Sequence, residues 1–223
     1  MSNVDSQVQL SAQSRLGTLL RSDGLERAFD LVGASVLLVF LAPLLALLAF
    51  FVYLQDGGRP FFVQRRIGRD GQTFELYKFR TMCVDAEARL QELLNRSPAA
   101  RAEWALDQKL RDDPRITQVG RFLRQFSLDE LPQLFNVVRG EMSLVGPRPI
   151  VESEIERYGR HFEHYCTVRP GITGLWQVSG RNDVSYRTRV AMDVAYVRQR
   201  TVVLDVRIIL LTVPALLSKR GAY

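Results

Sequence analysis

Cysteine and histidine are scarce in this chain of 223 residues, with two of each. Cys83 and Cys166 are too few for a disulfide scaffold or a four-cysteine zinc site. His161 and His164 lie close to Glu163 and Cys166. A metal site there needs further ligands, so surface histidines are the simpler reading. There is no Walker loop, no G-x-S-x-G and no dinucleotide fingerprint, which removes the commonest nucleotide and hydrolase signatures. No repeat of about 20–50 residues is present, so the chain is not a solenoid. Nine prolines and fifteen glycines follow no period, which excludes a collagen-like chain. Hydrophobic residues make up 47% and charged residues 24%, which excludes a disordered chain. Charge is itself absent from one stretch, Leu31 to Leu54.

That stretch governs the rest of the reading. As a helix rising about 1.5 Å per residue, it is about 36 Å long and can cross a hydrocarbon core of about 30 Å. It has no polar face, unlike a helix at the surface of a soluble domain. It is too long for the apolar core of a signal peptide and ends in Gln55-Asp56-Gly57-Gly58, without a small-residue cleavage site. Pro43 lies near its middle, where it removes a hydrogen bond and permits a kink. Both flanks are basic: Arg15, Arg21 and Arg27 precede it, and Arg59, Arg65, Arg66 and Arg69 follow. A single crossing would export one basic flank, against the positive-inside tendency. A helix that enters, breaks at Pro43 and returns keeps both in the cytoplasm.

Downstream, Phe61–Val63 and Thr73–Phe79, joined through Gly68 and Gly71, read as short strands or a hairpin. Asp85 to Lys109 reads as one or two helices interrupted at Ser97-Pro98, and Val119–Gln125 as a short amphipathic helix. Ile208–Leu217 is apolar but too short to span, and suits an interfacial helix and a core helix equally. The fold class is therefore helix-dominated α+β. It comprises a mobile tail over 1–24, a re-entrant membrane helix over 25–58, and a cytoplasmic, membrane-associated domain over 59–223 with interfacial amphipathic helices and a small β element, the part in which any catalytic chemistry is expected.

The remaining chemistry lies in carboxylates and arginines. Asp129-Glu130 sits in Ser-Leu-Asp-Glu-Leu-Pro-Gln-Leu (127–134). On these residues alone a helix start is the economical reading, with Ser127 as cap and Glu130 closing a capping box. Pro132 disturbs that register and favours a start nearer Asp129. Either way the pair lies at a helix N-terminus, which favours ionised carboxylates and attracts phosphate. Arg121, Arg124, Arg139, Arg148, Arg169 and Arg181 surround it in sequence, several on turns stiffened by proline or glycine. The planar fork of arginine suits phosphate, and a rigid turn presents it with little freedom to lose. Beside a membrane segment, this pattern points to a phosphorylated amphiphile.

The chain resembles the monotopic phosphoglycosyl transferases, or bacterial sugar transferases, most closely the short exopolysaccharide-priming members. The matching stretches are Arg-Ala-Phe-Asp (27–30), Gln-Arg-Arg-Ile-Gly (64–68), Lys-Phe-Arg-Thr-Met (78–82), Asp-Pro-Arg-Ile-Thr (113–117) and the dyad segment 127–134. They continue through 140–149, which holds Gly146-Pro147-Arg148-Pro149, then 169–181, and Asp193-x-x-Tyr196. The resemblance implies transfer of a sugar-1-phosphate from a UDP-sugar to undecaprenyl phosphate with release of UMP. A plain hexose, galactose or glucose, is the implied sugar. The resemblance also implies that Asp129 is the nucleophile of a covalent sugar-phosphate intermediate, and that Glu130, a second catalytic residue, holds Mg²⁺ and aligns the acceptor. Arg124, Arg148 and Arg181 would bind phosphates, with Lys78 a further substrate-binding residue. It places the protein at the bacterial inner membrane with its active site on the cytoplasmic face, starting exopolysaccharide or related glycan synthesis. Family members break the re-entrant helix at Ser-Pro, whereas this chain has Ala42-Pro43.

Two rival classes remain. The net charge of +6 suits nucleic acid, but it equally suits anionic lipid, and no nucleic-acid motif is present, so no nucleic-acid partner is expected. A catalytically silent membrane scaffold would need the acidic pair only as a cap. Oligomeric state is left open, a homodimer included.

Overall fold

The computed structural model describes residues 23–107, 110, 112–180 and 184–217. Most of the expected N-terminal tail, and Arg181, lie outside the described residues. Helix α1 spans Asp23–Leu54 with Pro43 inside it. It is long and apolar enough to cross a membrane, and only 11% of its most apolar window is buried. A core helix of a soluble protein would be covered; here Val32, Val36, Val39, Phe40, Phe50 and Phe51 are exposed. The described chain forms two compact units, residues 23–40, 64–76 and 133–217 in one and 41–63 and 77–132 in the other.

The expected hairpin is present. Strands β1 (Phe61–Ile67) and β2 (Thr73–Phe79) pair, with β1 running four residues beyond Val63. The Gly68 N–H bonds the Gln72 carbonyl at the turn, and the Arg80 N–H bonds the Pro60 carbonyl at the open end. Helices α2 (Ala86–Arg96) and α3 (Pro98–Asp107) break at the anticipated Ser97-Pro98. Helix α4 (Gln118–Gln125) starts where Thr117 Oγ1 accepts the Gly120 N–H at 2.9 Å, an N-cap that sequence pattern alone did not single out.

In the unit of 41–63 and 77–132, Leu48 and Val52 of α1 pack with Phe79 and Leu123 as a buried cluster, edged by Leu44, Val119, Leu128 and Leu131. Gly120 sits so close to Thr81 that an added Cβ would lie 2.0 Å from the Thr81 carbonyl oxygen. That approach seats α4 against the chain just beyond β2.

The other unit holds helix α5 (Gln133–Arg139), strand β3 (Ser143–Val145), short helices α6 (Ile155–Tyr158) and α7 (Phe162–Cys166), and strand β4 (Gly171–Thr173). Helices α8 (Leu175–Ser179), α9 (Tyr186–Gln199) and α10 (Val202–Leu217) complete it. Its core gathers Ile67, Ile150, Tyr158, Tyr165 and Val190. Strands β3 and β4 pair in parallel, Ser143 with Gly171 and Val145 with Thr173. A Cβ on Gly171 would lie 2.0 Å from the Gly146 nitrogen, so only glycine permits this approach of the two arginine-bearing turns.

Helix α10 resolves the even choice made from sequence by having both characters. Ile208 is buried, while Val203, Val206, Leu210, Leu211 and Val213 are exposed. It also begins six residues before Ile208, because its first turn carries the buried Asp205. His161 and His164 are half-buried rather than on the open surface. Among the described residues no group of three or more His, Cys, Asp or Glu forms a metal cluster.

Candidate active site

The acidic pair is not the cap that the sequence suggests. Leu128–Glu130 forms its own 3₁₀ turn, separate from α5, and Ser127 makes no side-chain cap bond. The capping box fails because Ser127 is left-handed, at φ 53° and ψ 25°. A serine there is strained by roughly 1–3 kcal/mol. This bend joins α4 to the dyad turn and separates Arg124 from Asp129 by only that reversal.

Lys78, at the end of β2, places Nζ 2.6 Å from Oε1 of Glu130. Arg124, in the last turn of α4, donates from Nε to Oγ1 of Thr81 at 2.9 Å. Its guanidinium is thereby oriented by a hydroxyl rather than neutralised by a carboxylate. Burial, followed by the neighbouring Glu130, pushes the Asp129 carboxyl above the usual range, while the charges of Lys78 and Arg124 pull it back. Two carboxylates and two cations thus converge. The helix-dipole argument for their ionisation does not carry over, because the pair lies outside the first turn of α5. The cations Lys78 and Arg124 take that part.

Asp113 and Arg115 form a buried ion pair at 2.7 Å, with the Arg115 guanidinium 4.9 Å over the ring of Trp104. The Asp113 charge in turn acts on Arg124. Thr81 bonds Arg124 and the Asp113 charge acts on it, and residue chemistry alone singled out neither position. Their signal was their place inside the stretches 78–82 and 113–117.

Arg148 belongs to the other unit. Its Nη1 lies 3.9 Å from Oε1 of Glu154, and its side chain is 42% exposed. Arg169 donates from Nε to the Gly140 carbonyl at 2.8 Å. Two α1 residues act structurally here. Arg27 donates to the carbonyls of Val137 at 2.6 Å and Val138 at 2.9 Å, near the C-terminus of α5. Asp30 accepts from the Leu144 N–H and the Ser143 hydroxyl, both at 2.9 Å. Nothing in the local sequence pattern reveals either pairing.

A half-buried carboxylate beside a second carboxylate, a lysine and an arginine suits phosphoryl chemistry, in which charge must be neutralised and reactants aligned. Residues 21–219 match the family model described as bacterial sugar transferase, and the chain belongs to that family. It is thereby an enzyme of the phosphoglycosyl transferase class. It is 53% identical over 199 residues to a protein of Erwinia amylovora named UDP-galactose-lipid carrier transferase, covering 89% of this chain and 42% of that relative. It is 52% identical to the exopolysaccharide production protein ExoY of Sinorhizobium fredii, covering 89% of this chain and 88% of ExoY. It is 51% identical to a Salmonella typhimurium protein named undecaprenyl-phosphate galactose phosphotransferase, covering 89% of this chain and 42% of that relative. The chain thus spans less than half of two of these relatives and most of the third.

Proposed function

We propose that the protein transfers a hexose-1-phosphate from UDP-galactose or UDP-glucose to undecaprenyl phosphate, releasing UMP, as the first membrane step of an exopolysaccharide or related glycan. The observation that carries this reading is the Asp129–Glu130 pair facing the Lys78 and Arg124 cations. An Asp129 carboxylate oxygen attacks the phosphorus that bears the sugar. The new O–P bond forms as the bond to UMP breaks, leaving a sugar-phosphoryl aspartate. A phosphate oxygen of the lipid then attacks that phosphorus, and Asp129 leaves as carboxylate.

Lys78 and Arg124 reduce the repulsion between an anionic nucleophile and an anionic donor. The family resemblance assigns phosphate binding to Arg148 and Arg181 as well. Glu130, with its side chain 36% exposed, offers hard oxygen ligands of the kind Mg²⁺ takes alongside water and substrate phosphate. When bound, Mg²⁺ supplies further charge neutralisation at the diphosphate. The apolar α1, re-entering the bilayer at Pro43, would hold the site at the cytoplasmic surface of the inner membrane, where the lipid phosphate lies.

The test is UMP release in nanodiscs containing undecaprenyl phosphate, across a panel of UDP-sugars with and without Mg²⁺. Lipid- and Mg²⁺-dependent release with one UDP-hexose is the expected result. No release from folded protein would leave the silent scaffold.

A further inference from the structure

Arg80 stands in the Lys-Phe-Arg-Thr-Met stretch, between Lys78, which meets Glu130 at 2.6 Å, and Thr81, which accepts from Arg124 at 2.9 Å. An arginine in that place invites a phosphate-binding role, but its guanidinium has no donor left for one. Nη1 donates to Asp56 Oδ2 at 2.6 Å and to the Met82 carbonyl at 3.0 Å. Nη2 donates to Asp56 Oδ1 at 2.5 Å and to the Val52 carbonyl at 3.3 Å, and Nε donates to the Arg59 carbonyl at 2.8 Å. That accounts for every N–H of the group.

Asp56 is held from its own side as well. Its Oδ1 also accepts the Gly58 N–H at 3.2 Å, and its Oδ2 the Val84 N–H at 3.1 Å. The Arg80 hydrogen bonds keep its carboxyl below the ordinary value. A Cβ on Gly58 would lie 2.5 Å from Cγ2 of Val84, so the chain leaving α1 and the chain leaving β2 run in close contact. In the turns before Asp56, Leu48 and Val52 pack with Phe79. All these groups belong to the unit of 41–63 and 77–132.

The place of the pair along α1 gives it a use. Leu47, Phe50, Phe51 and Leu54 are exposed up to the end of the helix, and Asp56 is the first charged residue after them. A charge is costly inside hydrocarbon and settles at its boundary. Asp56 therefore marks the level at which α1 leaves a bilayer, and Arg80 ties the segment carrying Lys78 and Thr81 to that level. A lipid presents its phosphate at the same boundary. Misplacing a reacting group by about 1 Å can cost about 100-fold in rate.

We propose that the Asp56–Arg80 pair is a positioning device for the acceptor step, fixing the Lys78–Thr81 segment, and with it the Asp129–Glu130 site, at the height of the lipid phosphate. The proposal rests on the reading that the acceptor is a lipid phosphate.

The test separates the two half-reactions of the full chain in nanodiscs. The first-turnover burst of UMP without lipid acceptor reads formation of the sugar-phosphoryl aspartate, and its discharge on adding undecaprenyl phosphate reads transfer. Asp56→Asn should keep the burst within about 3-fold of the parent and slow discharge about 10-fold or more. Arg80→Met should do the same, Arg80→Lys should recover part of the loss, and the double variant should be no slower than the worse single. Equal slowing of both half-reactions, or unchanged discharge, overturns the proposal. A burst lost in Arg80→Met and kept in Asp56→Asn overturns it too, because Arg80 would then be a phosphate ligand. A second readout needs no turnover: bimane on Gln118→Cys, exposed at the start of α4, with Cys83 and Cys166 replaced, is quenched by lipid spin-labelled at the head group. Asp56→Asn should shift that quenching, and unchanged quenching overturns the positioning. Shifted quenching without UMP release from the parent keeps the positioning and sinks the reaction.

Discussion

Lys78 and Glu130 stand 52 residues apart and meet at 2.6 Å, the lysine at the end of a strand and the glutamate in a 3₁₀ turn. The contact ties the hairpin to the dyad and puts a positive charge beside Asp129. Removing that charge tests the site directly. Lys78→Met should lower kcat by roughly 10–100-fold, with a change in melting temperature of only a few degrees, since a half-exposed ion pair contributes about 1 kcal/mol or less. UMP release and thermal unfolding of the same preparation give both readings. Unchanged kcat would remove Lys78 from the machinery.

Asp129→Asn should reduce UMP release by on the order of 10³-fold or more while the protein stays folded. Intact-mass analysis after exposure to UDP-hexose without lipid acceptor should show an added hexose-phosphate on the parent chain and none on the variant. Near-normal turnover by the variant would dismiss the nucleophile.

Arg27→Ala should destabilise the protein by about 2 kcal/mol, because two charge-assisted bonds to the carbonyls of Val137 and Val138 are lost. The melting temperature should fall by roughly 4–8 °C. Arg27→Lys, with one point charge in place of a fork, should recover only part of that. Full recovery by lysine would mean that charge near the end of α5 suffices.

Stability should fall as pH rises from acid to neutral. Burial pushes the carboxyls of Asp193 and Asp205 up to about 7. Both values lie above the ordinary unfolded value of about 3.9. The stability they contribute is complete below that unfolded value and is lost as pH rises through the folded one. Melting temperature should therefore decline between about pH 4 and 8, by about 2–4 °C for each kcal/mol lost. Asp193→Asn should flatten the decline. A parent profile already flat over that window would contradict it.

Topology is open to chemical labelling. In a background with Cys83 and Cys166 replaced, single cysteines at Gly24 and Gln55 should both react with a membrane-impermeant maleimide only after the cytoplasmic face is opened. Labelling of Gly24→Cys from the periplasmic side would show that α1 crosses the bilayer instead of returning.

The sequence was informative where structure is local. Alternation in Thr73–Phe79 marks its strand, and Pro98 marks the break between two helices. It was silent where partners are distant. Asp30 bonds Ser143 and Leu144 across more than a hundred residues, and no pattern around Asp30 encodes that. Strands β3 and β4 have three residues each, too few for any period to register, and their pairing depends on Gly146 and Gly171 meeting face to face. The left-handed Ser127 was misread for a related reason. A serine three residues before a glutamate is a common cap signal, and only the packing of Leu128 and Leu131 into the apolar cluster turns the chain the other way.

Helix α1 has a consequence for how the chain can be cut. Its first half supplies the guanidinium near the end of α5 and the carboxylate that secures β3, and its second half supplies Leu48 and Val52 to the cluster around Leu123. Trimming it away to obtain a soluble catalytic fragment would open the interior of both units at once. The segment that looks like a tether also carries part of the packing of each unit, so it is not a freely detachable anchor.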